Sequence, residues 1–149
     1  MDENCVCMTI NETQDEIIET FDLFDDPLDK TQYIIDLGKK LTPIDEKYKT
    51  DEHLIKGCQS RVWLAAEMKG DQLHFYGDGE PEAQIAKGLI SLLIDVLSGH
   101  QPEEIANADL YFIEKVGMGN LVTSRRAGGL NSMIQKMKHY GALYSKLHA

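Results

Sequence analysis

The chain has 149 residues, 42% of them hydrophobic and 27% charged, so it can bury a core and has the ordinary composition of a soluble fold. Its net charge of −10 and its lack of a basic stripe argue against nucleic-acid binding, which depends on lysine and arginine. No apolar run is long enough to span a membrane, and the acidic first residues are unlike a secretory signal. We therefore expect a cytoplasmic protein with no nucleic-acid or membrane partner.

The chain is predicted to begin with a disordered lead-in over residues 1–8, because this segment has no periodic apolar face. A single domain is expected over residues 9–149. Two amphipathic helices come first in that domain. Thr13 and Glu16 have the spacing of a capping box, and Pro27 marks the first position of the second helix. The apolar faces are formed by Ile17, Phe21 and Phe24 in the first helix and by Tyr33, Ile34, Leu37 and Leu41 in the second.

A small antiparallel sheet is predicted after the helices. Residues 62–68 alternate between two faces, which is typical of a half-buried strand, and residues 73–76 pair back as a hairpin. Residues 53–56 would supply a third strand. That arrangement would place Cys58 on the loop between two strands.

Helices are predicted again in the last part of the chain. A helix that starts at Glu80-Pro81-Glu82 and closes at Ser98-Gly99 is apolar around most of its circumference, which indicates a central, buried position. Short helices follow over residues 102–107 and 110–116. The apolar face of the final helix consists of Leu130, Met133, Ile134, Met137 and Tyr140. This order predicts an α+β fold, with a three-stranded antiparallel sheet and helices packed on one of its faces.

Cys58 is the candidate nucleophile. The other two cysteines lie in the predicted lead-in, and an odd number of this kind does not make a disulfide framework. Gly57 leaves room for another molecule to approach, while Lys56 and Arg61 favour the reactive thiolate. The alternative that Cys58 is simply a small buried residue stays open at this point.

Metal and cysteine–histidine chemistry have weaker support. A structural zinc site needs four cysteine or histidine ligands at defined spacings, and the sequence does not offer them. We therefore predict no metal and no bound cofactor. Nothing in the sequence fixes a histidine beside Cys58, so a catalytic Cys–His pair is only weakly indicated.

Arg126 is the second feature of interest. It lies near the start of the last helix, where a cation opposes the helix dipole, and Gly128-Gly129 is unfavourable in a helix interior. Either this segment is a solvated loop before a late helix start, or it is a close backbone approach with Arg126 aimed at an anionic group. The sequence leaves both interpretations open.

The segment around Cys58 resembles a known signature. Residues 55–63, Ile-Lys-Gly-Cys-Gln-Ser-Arg-Val-Trp, resemble the I-x-G-C-Q-S-x-V-W pattern of SufE-type sulfur-acceptor proteins, which include the CsdE branch. Residues 33–38, residues 85–89 and Arg126 with Gly129-Leu130 are similar to the family's Y-I-I-x-L-G, I-x-K-G-L and R-x-x-G-L motifs. The matches cover roughly residues 13 to 145 in the family's order. Two departures are Ser124, where the family usually has proline, and a longer stretch over residues 77–87.

The resemblance implies a fold shared with the U-type cluster scaffolds. It also implies that Cys58 takes persulfide sulfur from a PLP-dependent cysteine desulfurase of the SufS type and stimulates that enzyme. The sulfur would pass to the Suf scaffold complex for iron–sulfur cluster assembly. Gly57, Gln59 and Ser60 would shape the loop, and Arg126 would act on the sulfur or on the docked partner. No turnover is expected without the desulfurase, and a homodimer stays open.

Two alternatives accompany this interpretation. One is a cluster-binding scaffold on the same fold, although only one cysteine lies in the predicted folded body. The other is a binding module that activates the desulfurase without carrying sulfur.

Overall fold

Helices surround a short antiparallel hairpin in the computed structural model, which describes residues 9–41, 43–55, 61–116 and 124–147 and gives only the backbone at positions 27, 124–129 and 131. No helix in these ranges is long and apolar enough to cross a membrane. The elements in chain order are α1 (Ile10–Asp22), α2 (Pro27–Lys39), a 3-10 helix (Glu46–Tyr48), β1 (Val62–Lys69), β2 (Gln72–Gly79), α3 (Gln84–Leu97), α4 (Pro102–Ala106), α5 (Phe112–Lys115) and α6 (Ser124–Leu147).

The first helix begins earlier than its predicted capping box. The box is formed by Thr9 and Glu12: the Thr9 hydroxyl accepts from the Glu12 N–H at 3.0 Å, and the Glu12 carboxylate accepts from the Thr9 N–H at 2.9 Å. The prediction of Thr13 as the cap was wrong, because Thr13 already lies inside α1. The second helix begins at Pro27 as predicted, after Asp26, whose carboxylate accepts from the Leu28 N–H at 2.9 Å.

The described part of the sheet has two strands, β1 and β2, paired from Val62 with Gly79 to Lys69 with Gln72. The predicted three-stranded sheet is not confirmed. A single bridge joins Leu54 to Trp63 in place of a third strand. Residues 51–53, just before this bridge, form a turn, in which the His53 N–H donates to the Thr50 carbonyl at 3.1 Å.

The first half of β1 is buried on both faces, contrary to the predicted half-buried strand. Val62, Leu64 and Ala65 are fully buried and Trp63 is only 7% exposed. On one face, the Phe75 ring of β2 lies 6.3 Å from that of Tyr140 in α6. On the other, the connection before β1 covers the Trp63–Asp78 pair, and its Ile44 N–H donates to the Asp78 carboxylate. Alternation along a strand cannot reveal a distant segment that covers the polar face.

The long helix α3 is central and buried as predicted, although it begins at Gln84. It packs closely on α2, because the positions of Gly38 and Gly88 leave no room for a side chain: a Cβ on Gly38 would lie 2.7 Å from the Gly88 nitrogen. Two of the motifs noted in the sequence therefore meet at this contact. The predicted face of α6 is also confirmed in part, since Leu130, Met133 and Met137 are buried.

Candidate functional site

Four of the predicted site residues, Gly57, Cys58, Gln59 and Ser60, lie outside the described residues. The fifth, Arg126, is described only by its backbone, in the first turn of α6. The site can therefore be built from the residues that flank the Cys58 segment and from the elements that hold them.

The two ends of the Cys58 segment are attached to neighbouring points of the fold. Ile55, on the N-terminal side, is 3% exposed, and its N–H donates to the Val62 carbonyl at 2.8 Å. The Leu64 N–H donates to the His53 carbonyl at 2.9 Å. The described residues on the two sides of positions 56–60 therefore meet in a short antiparallel pairing at the start of β1.

Arg61, which directly follows this segment, is held by Glu80. The Glu80 carboxylate accepts from the Arg61 backbone N–H at 2.8 Å and from its guanidinium at 3.0 and 3.1 Å. The Glu80 N–H donates to the Arg61 carbonyl at 2.9 Å. The backbone hydrogen bond and then the guanidinium lower the pKa of Glu80. The sequence suggested that Arg61 favours the Cys58 thiolate, but the structure pairs its charge with a carboxylate 19 residues away.

A buried carboxylate lies beside this pair, at the end of β2. Asp78 is 8% exposed, and its oxygens accept from the N–H groups of Gly79 at 2.8 Å and Ile44 at 3.4 Å. The ammonium groups of Lys49 and Lys87 lie 3.7 and 4.0 Å from it. Asp78 thus connects β2, the connection before β1 and the start of α3. The sequence analysis did not identify Asp78 as a site residue. The one related signal in the sequence was its partner Lys87, which lies in a motif similar to that of the family.

Trp63 packs between two of these cations. The Lys49 ammonium and the Arg61 guanidinium each lie 5.7 Å from the centroid of its ring. Such cation–π contacts stabilise charged groups at the edge of a protein. Trp63, which is only 7% exposed, is therefore a packing residue at the start of β1.

Arg126 lies within a helix rather than in a turn. Helix α6 begins at Ser124, and Gly128 and Gly129 occupy helical positions, which does not fit a solvated loop with a late helix start, one of the two interpretations that the sequence left open. Glycine weakens a helix, but Leu130 is buried immediately afterwards and anchors the helix by tertiary packing. The predicted role of Arg126 toward an anionic group stays a prediction.

Other polar groups of the described chain do not form a metal site. Within residues 9–41, 43–55, 61–116 and 124–147, no three His, Cys, Asp or Glu side chains form a group that could hold a metal ion. His53 pairs with the Thr50 hydroxyl at 3.0 Å. Burial lowers the pKa of His74, and Lys69 adds to that effect.

A cleft lies where α1, α2, α3 and the start of β2 meet. Its volume is about 490 Å³. Its titratable lining residues include Asp95, whose pKa is raised by burial and by the charge of Glu16, and His100, whose pKa is lowered by burial.

Comparison with known proteins connects the chain to one family. The family model described as "SufE: Fe-S metabolism associated domain" matches residues 15–141. An uncharacterized SufE-like protein of Rhizobium meliloti (strain 1021) is 37% identical over 129 residues, which cover 83% of this chain and 91% of that protein. Similar proteins of Rhizobium etli and Synechocystis sp. are 36% and 33% identical, with 83% of this chain covered in each case and 86% and 76% of those proteins.

A solved structure supports the fold. The solution structure of a hypothetical protein from Thermus thermophilus superposes with a TM-score of 0.71, at 19% sequence identity, over 88% of this chain and 94% of that one. The arrangement of helices around the hairpin therefore recurs in a distantly similar protein.

Proposed function

The chain belongs to the SufE family, and on that premise we propose that it is a sulfur carrier whose Cys58 accepts sulfur from a PLP-dependent cysteine desulfurase. Membership of the family connects the chain with Fe–S metabolism. One observation carries the finer role: the only cysteine after the first eight residues lies in the segment that matches the sulfur-acceptor signature. We propose that the Suf scaffold complex receives the sulfur for iron–sulfur cluster assembly.

The proposed reaction is a thiol exchange at sulfur. The Cys58 thiolate attacks the outer sulfur of a persulfide on the desulfurase's own cysteine. A new S–S bond forms at Cys58, the old S–S bond breaks, and the desulfurase cysteine leaves as a thiolate. No external oxidant or reductant is consumed, because the transferred sulfur keeps its oxidation state between the two persulfides. The protein alone has no source of persulfide sulfur, so turnover depends on the desulfurase.

The residues around the segment suit this role. The residues that flank it are joined by the Ile55–Val62 hydrogen bond, and Arg61 is paired with Glu80, which directly follows β2. A short segment between rigid anchors can present a thiol to a partner without rearrangement of the core. We propose that Gly57 leaves room for the partner's backbone, and that Gln59 and Ser60 shape the segment around Cys58.

Detection of the added sulfur tests the proposal directly. The protein is incubated with a SufS-type desulfurase and L-cysteine, and its intact mass and proteolytic peptides are measured without reductant. We expect one additional labile sulfur on the peptide that contains Cys58. The matched control is the Cys5→Ser/Cys7→Ser double variant, which should gain sulfur like the wild type. Sulfur that maps to Cys5 or Cys7 instead would refute the proposal.

Two further measurements, desulfurase activity and iron binding, separate the two alternatives. A Cys58→Ser variant that still stimulates the desulfurase would indicate a binding module that activates without carrying sulfur. A cluster-binding scaffold would acquire iron and an absorbance of its own, which a carrier would not. We propose a cytoplasmic setting, because a reducing compartment keeps the acceptor thiol free.

Arg126 is proposed to act on the transferred sulfur or on docking of the desulfurase. Arg126→Ala should slow sulfur transfer and leave the melting temperature nearly unchanged, while Arg125→Ala serves as the matched control on the same turn. Arg126→Lys should restore little if the planar guanidinium is required. Equal sulfur-transfer rates for Arg126→Ala and Arg125→Ala would contradict the proposed role of Arg126.

A further inference from the structure

Four large hydrophobic side chains are exposed within the described part of the chain, and they form two pairs. Leu23 and Leu28, at the connection between α1 and α2, are 81% and 75% exposed. Leu143 and Leu147, near the end of α6, are 42% and 67% exposed. Burial of such side chains against another surface is favourable, so each pair is a candidate contact site.

The first pair is presented by a connection that aromatic packing holds in place. The ring of Phe24, which lies between the two leucines in the sequence, packs inward: its centroid is 6.4 Å from that of Phe21 and 5.3 Å from that of Tyr33. Leu23 and Leu28 are left on the outer side. A surface that is already fixed loses less conformational entropy when it binds than a flexible one.

The surface around this first pair is acidic. Residues 22–29 contain no lysine or arginine, and we call them the acidic tip. A surface of this kind repels acidic surfaces and attracts basic ones. Four exposed aspartates contribute to it: Asp22, Asp25, Asp26 and Asp29.

The second pair lies on a helix of the opposite charge. Residues 130–147 of α6 contain three lysines and no aspartate or glutamate. Gly141 faces α4, because a Cβ on it would lie 2.8 Å from a carbonyl oxygen of that helix. Leu143 lies about 200° further around α6 and therefore points away from α4, with the exposed Lys146 one turn later. We call Leu143, Lys146 and Leu147 the basic stripe.

We propose that the acidic tip of one copy of this chain docks on the basic stripe of a second copy. Each surface offers two exposed leucines, and the charges around the two pairs are opposite. Both pairs are exposed in the single chain, so neither surface covers the other within one copy. The inference does not involve Cys58 and is independent of the proposed function.

Contacts between two like surfaces are disfavoured by the same charges. Two acidic tips would bring the four aspartates of each copy together, and two basic stripes would bring their lysines together. The contact is therefore heterologous, which means that the two copies use different surfaces. A head-to-tail contact leaves a free tip at one end and a free stripe at the other, so association continues beyond two copies unless a ring closes.

The test is sedimentation velocity of the full chain from about 10 µM to about 1 mM, with reductant present so that no disulfide links two copies. We expect the weight-average sedimentation coefficient to rise with concentration, and the rise to shrink in added salt, because the contact is small and charged. Asp25→Asn should weaken the association. Asp71→Asn removes the same charge at the turn between β1 and β2, and it should have no effect.

Two double variants separate the two surfaces. The tip variant, Leu23→Ala/Leu28→Ala, and the stripe variant, Leu143→Ala/Leu147→Ala, should each raise the dissociation constant at least about tenfold. Alanine keeps the helix propensity of α6, and the melting temperature of each variant reports whether its fold is intact. In a mixture of the two variants, the intact stripe of the first receives the intact tip of the second. The mixture should therefore form dimers and no larger species.

Recovery of dimers in the mixture supports the proposal, and three results overturn it. A wild type that stays monomeric over the whole range lacks the contact, and if its tip variant also binds a SufS-type desulfurase more weakly, the tip serves that partner instead. Association that persists unchanged in both double variants uses another part of the chain. If each variant is monomeric and their mixture is monomeric as well, the tip and the stripe do not bind each other.

Discussion

Substitution of Gly88 tests the close packing of α3 against α2. This glycine lies in α3 against α2, and a Cβ at this position would overlap the Ile34 carbonyl oxygen and lie 2.5 Å from Ile34 Cγ2. Gly88→Ala therefore forces a backbone carbonyl, not a flexible side chain, to move. Alanine favours the helix by about 1 kcal/mol, whereas overpacking of a core costs about 1–3 kcal/mol. Because the nearest obstructing atom is a backbone carbonyl oxygen, we take the upper end of the overpacking cost, and the net loss of stability is about 2 kcal/mol.

The loss should be visible in thermal and urea unfolding. For a chain of this size, about 2 kcal/mol corresponds to a fall of about 4–8 °C in melting temperature. Gln84→Ala, at an exposed position of the same helix, is the control and should change stability by less than about 0.5 kcal/mol. A Gly88→Ala variant as stable as the wild type, or more stable by the helix propensity alone, would refute the close contact between α2 and α3.

Three further predictions concern other parts of the chain. Gln14 is fully buried and its side-chain oxygen accepts from the Phe112 N–H at 3.1 Å, so Gln14→Ala should destabilise the protein by about 1–3 kcal/mol in urea unfolding; an unchanged midpoint would contradict this. Burial lowers the pKa of His74 and His100, so their contribution to stability is complete above about pH 6.5 and declines as the pH falls toward the folded-state pKa values. Replacing both by Gln should flatten the dependence of melting temperature on pH below about 6.5, and an equally steep dependence in that variant would count against the assignment. Deletion of residues 1–8 should leave melting temperature and sulfur transfer unchanged, whereas a large fall in either would show that the segment is structural.

The sequence by itself determined the classes of element and the likeness to a family. Apolar periodicity predicted α2 and α6 because each buries one face in the core, and a nearly continuous apolar surface predicted the buried α3. The Gly57-Cys58-Gln59 segment was recognisable for a similar reason, since its residues are contiguous. The predicted role of Cys58 needed no tertiary contact to formulate, and it stays a prediction.

Only the tertiary structure decided which groups surround that segment. Among the described residues, the predicted third strand is represented by one bridge at Leu54, because a turn over residues 51–53 competes with extension and no local sequence pattern predicts which of the two forms. Arg61 is paired with Glu80, and Asp78 with Lys49 and Lys87, across separations of 19, 29 and 9 residues. Such pairs depend on how the strands and helices pack, so the partner of a charged side chain cannot be identified from the sequence alone. The chemistry of the thiol could therefore be predicted from neighbours in sequence, while the partners of Arg61 and Asp78 were fixed by neighbours in space.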